Sequence, residues 1–78
     1  MPYIDKQKRK ELKVRHPQDA GELNYWITKQ LLTYIKVRGE SYQTYCEIEG
    51  VLSHASKELY RRHTALYENK KMLANGDV

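Results

Sequence analysis

The feature that most limits what this chain can fold into is an apolar stripe in its second half. Its members recur at alternating steps of three and four residues, which is the spacing of one helix face. They are Tyr45, Ile48, Leu52, Ala55, Leu59, Arg62 and Leu66, and only Arg62 is not apolar. We therefore predict a long third helix over residues 42–64 that starts after the N-cap residue Ser41. A further helix over residues 66–75, ending at Asn75-Gly76, is left open.

Two other helices are predicted before this stripe. The first covers residues 5–14, with Asp5 as its N-cap and Pro17 as a stop. The second covers residues 20–38, where Asp19 and Glu22 have the spacing of a capping box and Gly39 is typical of a helix end. There is no alternating strand pattern. The prediction is an all-α bundle of three to four helices that forms a single domain over residues 1–78.

Chain length then suggests how the bundle is completed. A domain of 78 residues has a thin core, and the first helix is too polar to cover the faces of the other two. We expect a homodimer with the long third helix at its interface, and a compact three-helix monomer is the alternative. Gly50 is counted among the interface residues because a small residue allows another helix to approach closely. The candidate interface residues are Tyr45, Ile48, Gly50, Leu52, Ala55, Leu59 and Leu66.

Positive charge is concentrated at the start of the chain. Residues 1–16 contain six basic and two acidic residues, whereas the remainder is neutral overall, so the whole formal charge of +4 comes from this segment. Such a patch attracts polyanions, which predicts nucleic acid or an acidic protein as a partner; a solvated helix face is the alternative. The candidate polyanion-binding residues are Lys6, Lys8, Arg9, Lys10, Lys13, Arg15, Arg61 and Arg62.

Little in the chain indicates catalysis. Cys46 is the only cysteine, which excludes an intrachain disulfide and favours a reducing cytoplasm. His54 and Glu58 offer two metal ligands where zinc needs three or four, and no carboxylates are paired on one helix face. Apolar runs do not exceed three residues, as in Tyr25–Ile27, which predicts no membrane span. We expect no enzyme, cofactor or metal, although a hydrolase site built from two chains stays an alternative.

Several short runs of this sequence resemble those of one protein family. They are Met1-Pro2-Tyr3-Ile4, Gly21-Glu22-Leu23-Asn24-Tyr25, Glu58-Leu59-Tyr60-Arg61-Arg62, Tyr67-Glu68, Lys71 and Asn75-Gly76-Asp77-Val78. As a set, this resembles a family of short uncharacterised proteins, a domain of unknown function, from bacteria and their phages. The resemblance implies a small phage- or prophage-linked protein and no particular activity. The family tends to carry proline where this chain has Leu66, so a helix break there is left open.

Overall fold

The computed structural model describes residues 4–76, and every regular element in that range is helical. The elements are α1 (Lys6–Glu11), α2 (Ala20–Arg38), α3 (Tyr42–Leu59), a π-helical turn (Tyr60–Thr64) and α4 (Ala65–Asn75). The all-α prediction is therefore confirmed. Of the runs that carry the family resemblance, Met1-Pro2-Tyr3 and Asp77-Val78 lie outside the described residues.

The chain divides into two compact units. The first unit, Met1–Thr44, contains α1, α2 and the first residues of α3, and the second, Tyr45–Val78, contains the rest. Each unit is described by itself below. The expectation of one domain over residues 1–78 stays a prediction.

Helix α1 begins where the sequence predicts and ends earlier. Asp5 is the N-cap, and its Oδ1 accepts a hydrogen bond of 2.9 Å from the backbone N–H of Lys8. The predicted end at Val14 was wrong, because α1 stops at Glu11 and the chain continues as a turn. The amide of Val14 donates to the carbonyl of Glu11, three residues back, at 3.0 Å. This tighter bonding ends the α-helix before Pro17 is reached.

Helix α2 has the predicted bounds. The Asp19 side chain accepts from the amide of Glu22 at 2.8 Å, and Gly39 ends the helix with φ +88° and a hydrogen bond to Ile35. Glycine adopts this positive φ at little cost. The expected capping box is only half formed, because the Glu22 carboxylate accepts from the amide of Gln18 rather than from that of Asp19.

A polar corner joins α2 to α3 within the first unit. The hydroxyl of Ser41 accepts from the amide of Thr44 at 3.1 Å, so Ser41 caps α3 as predicted. The hydroxyl of Thr44 donates to the carbonyl of Gly39 at 2.8 Å, and Thr44 is buried. These bonds satisfy one of the free amides at the start of α3 and the carbonyl of Gly39, which follows α2.

From Tyr42 to Asn75 the chain stays helical, so no break occurs at Leu66. The regular α-helix ends at Leu59, earlier than the predicted residue 64, and a π turn follows in which the amide of Ala65 donates to the carbonyl of Tyr60. Gly76 closes α4 with φ +87° and a hydrogen bond to Met72. A π turn holds one residue more than an α turn, so the residues after it are rotated by about 100° from their α-helical positions.

Few apolar side chains are buried in the described part of the chain. They are Ile4, Leu12 and Ile48, and the buried polar residues are Glu22 and Thr44. No described side chain falls below 2% exposure. A core this small offsets little of the entropy lost on folding.

Candidate functional site

A groove lies between α1 and α2 within the first unit. Its volume is about 310 Å³, and no carboxylate is among the residues that line it. We call it the cationic groove and define it by Arg9, Lys13, Tyr25, Trp26 and Lys29. It combines positive charge with aromatic surface.

The two helices supply different parts of this groove. Arg9 lies on α1 and Lys13 follows in the turn after it, while Tyr25, Trp26 and Lys29 lie on one side of α2 at i, i+1 and i+4. The guanidinium of Arg9 lies 5.7 Å from the centre of the Tyr25 ring, which is a cation–π contact. The Nε of Arg9 is buried and has no hydrogen-bond partner in the described chain.

A buried ion pair sits beside the groove. Arg15 donates to both carboxylate oxygens of Glu22, from Nη1 at 2.7 Å and from Nη2 at 3.2 Å, and also reaches Glu11 at 3.0 Å. The hydrogen bonds from Arg15 and then from the Gln18 amide hold the pKa of Glu22 at about 2, and hydrogen bonds to Glu22 and then to Glu11 raise the pKa of Arg15. Arg15 is thus committed to an internal contact.

The remaining basic residues of the N-terminal segment are placed differently. Lys6, Lys8, Lys10 and Lys13 are exposed, and Arg9 is half-buried. Only Lys8 among these four lysines approaches a described carboxylate, at 3.9 Å from Glu22. Most of the segment's free charge therefore resides on lysines.

Arg61 and Arg62 belong to the second unit and share one partner. The Nη2 of Arg61 donates to Oε1 of Glu58 at 2.7 Å, and the Nε of Arg62 contacts the same oxygen. The side chains of Arg61 and Arg62 are 69% and 65% exposed, and that of Glu58 is 49% exposed. Exposed pairs of this kind contribute about 0–1 kcal/mol, so both arginines stay accessible to a partner.

Five of the seven candidate interface residues share one side of α3. Ile48 is buried, whereas Leu52 is 41% exposed and Leu59 is 59% exposed. The full set on this side is Tyr45, Ile48, Leu52, Ala55 and Leu59. We call this set the apolar face.

Gly50 and Leu66 do not belong to the apolar face. Gly50 precedes Leu52 by two residues, which places it about 160° around the helix, and apart from its neighbours and the backbone of its own helix no atom lies within 4 Å of where its Cβ would be. Leu66 follows the π turn and is rotated by about 100° from the position that an unbroken α-helix would give it. Tyr67, one residue later, takes the place in line with Leu59.

Sequence reasoning missed the contribution of α2 to the groove. In the sequence, Trp26 stands out only as part of the apolar run Tyr25–Ile27, yet it is 39% exposed and lines the groove. The available signal was the pair of spacings, four residues from Arg9 to Lys13 and four from Tyr25 to Lys29. Nothing in the sequence says that these two pairs face one another.

Residues 4–76 contain neither a metal-ligand cluster nor a helix suited to crossing a membrane. No group of three or more His, Cys, Asp and Glu residues lies together there, and the thiol of Cys46 is free and exposed. None of the described helices is both long enough and apolar enough to cross a membrane.

Comparison with known proteins gives a family and nothing finer. No curated protein and no solved structure matches the chain. The family model described as a domain of unknown function (DUF6899) matches residues 1–78. The chain therefore belongs to the DUF6899 family.

Proposed function

We propose that this protein is a non-enzymatic binding module that self-associates as a homodimer through the apolar face. The observation that carries this proposal is the exposure of large apolar side chains along the second unit. On the apolar face, Tyr45, Leu52 and Leu59 are 42%, 41% and 59% exposed. Contiguous apolar surface of this kind is typical of a protein–protein interface.

Within its described residues, 45–76, the second unit has no second layer of its own. Residues 45–75 form one continuous helical stretch, and Ile48 is the buried apolar residue among them. Helices that are not covered by tertiary packing are marginally stable in water. A partner surface that covers the apolar face would stabilise this helix.

Charge favours a second copy of the same chain as that partner, in antiparallel orientation. Residues 45–58 carry three acidic residues and one lysine, a net charge of −2, whereas residues 59–76 carry four basic residues and Glu68, a net charge of +3. Antiparallel copies would place each acidic half against the basic half of the other helix. Parallel copies would align like charges.

Such a pairing has a simple geometry. The sign of the charge changes between Glu58 and Arg61, so the twofold axis would lie near residue 60. Leu59 would then face its own copy close to the axis. The rest of the apolar face would lie against residues 61–75 of the other copy, where Tyr67 is in line with Leu59. A symmetric contact in which the same surface serves both copies is the commonest form of protein dimer.

Sedimentation equilibrium of the full chain at micromolar concentrations tests the proposal. We expect a species of twice the chain mass of 9.3 kDa that dissociates on dilution. A single species at the monomer mass across the whole concentration range would contradict it.

A second candidate function, nucleic-acid binding through the N-terminal basic segment, is favoured by the cationic groove. Lys6, Lys8, Lys10 and Lys13 present charge in the same unit. Binding through phosphates should weaken steeply as salt is raised. Affinity for a labelled oligonucleotide that does not change between 50 and 200 mM salt would contradict this candidate.

The biological setting is proposed on the family resemblance alone. The runs Gly21–Tyr25 and Glu58–Arg62 resemble those of bacterial and phage proteins, so we propose a phage- or prophage-linked role in the cytoplasm. Genes of phage origin beside this one would support the proposal, and neighbours with no such link would count against it.

A further inference from the structure

The cationic groove offers positive charge and an aromatic surface to one small ligand. Its three cations come from both helices, and its lining contains no carboxylate that would neutralise them. Charge held in a concave site attracts an anion more strongly than the same charge on a flat surface. The groove is therefore suited to a ligand with an anionic group.

Two of these cations are available to such a ligand. In the described chain, no ion pair or hydrogen bond engages the ammonium groups of Lys13 and Lys29. Arg15, by contrast, is held by Glu22 and Glu11. The third cation, Arg9, makes a cation–π contact with Tyr25 at the groove wall.

The aromatic surface of the groove is also partly exposed and can contact a ligand. The Tyr25 ring is engaged by Arg9 and half-buried, whereas Trp26 is 39% exposed and lines the same cavity. An exposed indole beside lysines is the arrangement on which nucleobases stack while their phosphates are held by cations.

The size of the groove favours one nucleotide. Its volume of about 310 Å³ lies at the lower end of the range of small-molecule sites, about 300–1,000 Å³. A base must leave its stack before it can lie against an indole, and single strands meet that condition without the cost of unpairing.

We infer that the cationic groove binds one nucleotide unit, with its phosphate between Lys13 and Lys29 and its base stacked on Trp26. This narrows the second candidate function, on which it rests, to a single site. A free mononucleotide and a nucleotide within a single strand share this chemistry.

Trp26 makes the site directly observable, because it is the only tryptophan in the chain. Its fluorescence should be quenched when a base stacks on it. The full chain is titrated in 50 mM salt with adenosine monophosphate, with inorganic phosphate, and with a single-stranded oligodeoxyadenylate of eight nucleotides. We expect quenching by the nucleotide or the oligonucleotide, and competition without quenching by phosphate.

A matched pair of variants tests the role of the lysines. Lys13→Gln/Lys29→Gln removes one groove lysine from each helical region, and Lys36→Gln/Lys57→Gln removes two exposed lysines that lie outside both the groove and the N-terminal basic segment. The groove variant should lose about tenfold or more in oligonucleotide affinity, and the control less than about threefold. The slope of log affinity against log salt should fall by about 0.7 in the groove variant, which is the value for one phosphate of a single strand.

Each outcome has a distinct meaning. Oligonucleotide affinity well above mononucleotide affinity identifies a strand as the source, and equal affinities identify the free nucleotide. Quenching by neither ligand, or equal losses in the two variants, overturns the inference. Should a labelled oligonucleotide bind by anisotropy without quenching Trp26, the second candidate function survives and the groove assignment falls.

Discussion

The Nη1 of Arg15 lies 2.7 Å from Oε1 of Glu22, and this contact joins the turn after α1 to the first turn of α2. The Glu22 carboxylate is buried and accepts from Arg15 at both oxygens. Bidentate pairing of this kind fixes geometry as well as charge. It therefore sets how α1 lies on α2, and so the width of the groove between them.

Acid should unfold the chain through Glu22. The folded-state pKa of Glu22 is lowered from its ordinary value of 4.5 to about 2, mainly by Arg15. A carboxylate with a lowered pKa contributes stability that is full above pH 4.5 and is lost as pH falls toward 2. Thermal midpoints measured by circular dichroism from pH 7 to pH 2 should fall mainly within that window.

The variant Glu22→Gln isolates this contribution. At pH 7 its thermal midpoint should lie below that of the wild type, and the difference should shrink to near zero at pH 2. Glu58→Gln is the control, because Glu58 is half exposed and its removal should change the midpoint little. A wild-type advantage over Glu22→Gln that is the same at every pH would contradict the role given to Glu22.

Replacing Gly50 with alanine should stabilise the protein. Gly50 lies inside α3 with ordinary helical backbone, and a Cβ there meets no atom within 4 Å. Alanine in a helix interior is favoured over glycine by about 0.5–1 kcal/mol. Urea denaturation of Gly50→Ala should give a free energy of unfolding higher by about that amount. A lower value, or loss of the dimer, would mean that another helix approaches closely at Gly50.

The π turn predicts that two similar leucines differ in their effect on association. Leu59 and Leu66 are 59% and 56% exposed and seven residues apart, but the turn between them rotates Leu66 off the apolar face. Leu59→Lys should raise the dissociation constant of the dimer about tenfold or more, since the new lysine would face its own copy. Leu66→Lys should raise it less than about threefold. Equal effects in sedimentation equilibrium would contradict the rotation.

Local signals in the sequence predict helix starts and most helix ends well. Asp5, Asp19 and Ser41 all act as N-caps, and Gly39 and Gly76 end helices with positive φ. Each of these depends on groups within a few residues, so a single sequence contains the information. The early end of α1 was missed because the stop signal in the sequence, Pro17, lies six residues after Glu11.

Two features could not be derived from such local signals. The periodic stripe assumes 3.6 residues per turn throughout, and nothing in Tyr60–Thr64 signals a wider turn, so Leu66 was assigned to the wrong side. Similarly, the positive charge of Arg9 and Lys13 was evident, but the place of Trp26 beside them requires the packing of α1 on α2.

Spin labelling of Cys46 tests antiparallel self-association most directly. Cys46 is exposed, is the only cysteine and lies about 120° around α3 from Leu52, so a label there leaves the apolar face intact. With the twofold axis near residue 60, two Cys46 labels should lie about 40 Å apart, given a helical rise of 1.5 Å per residue. Double electron–electron resonance showing that distance would support the account. A distance below about 20 Å, or no dipolar coupling between chains, would contradict it.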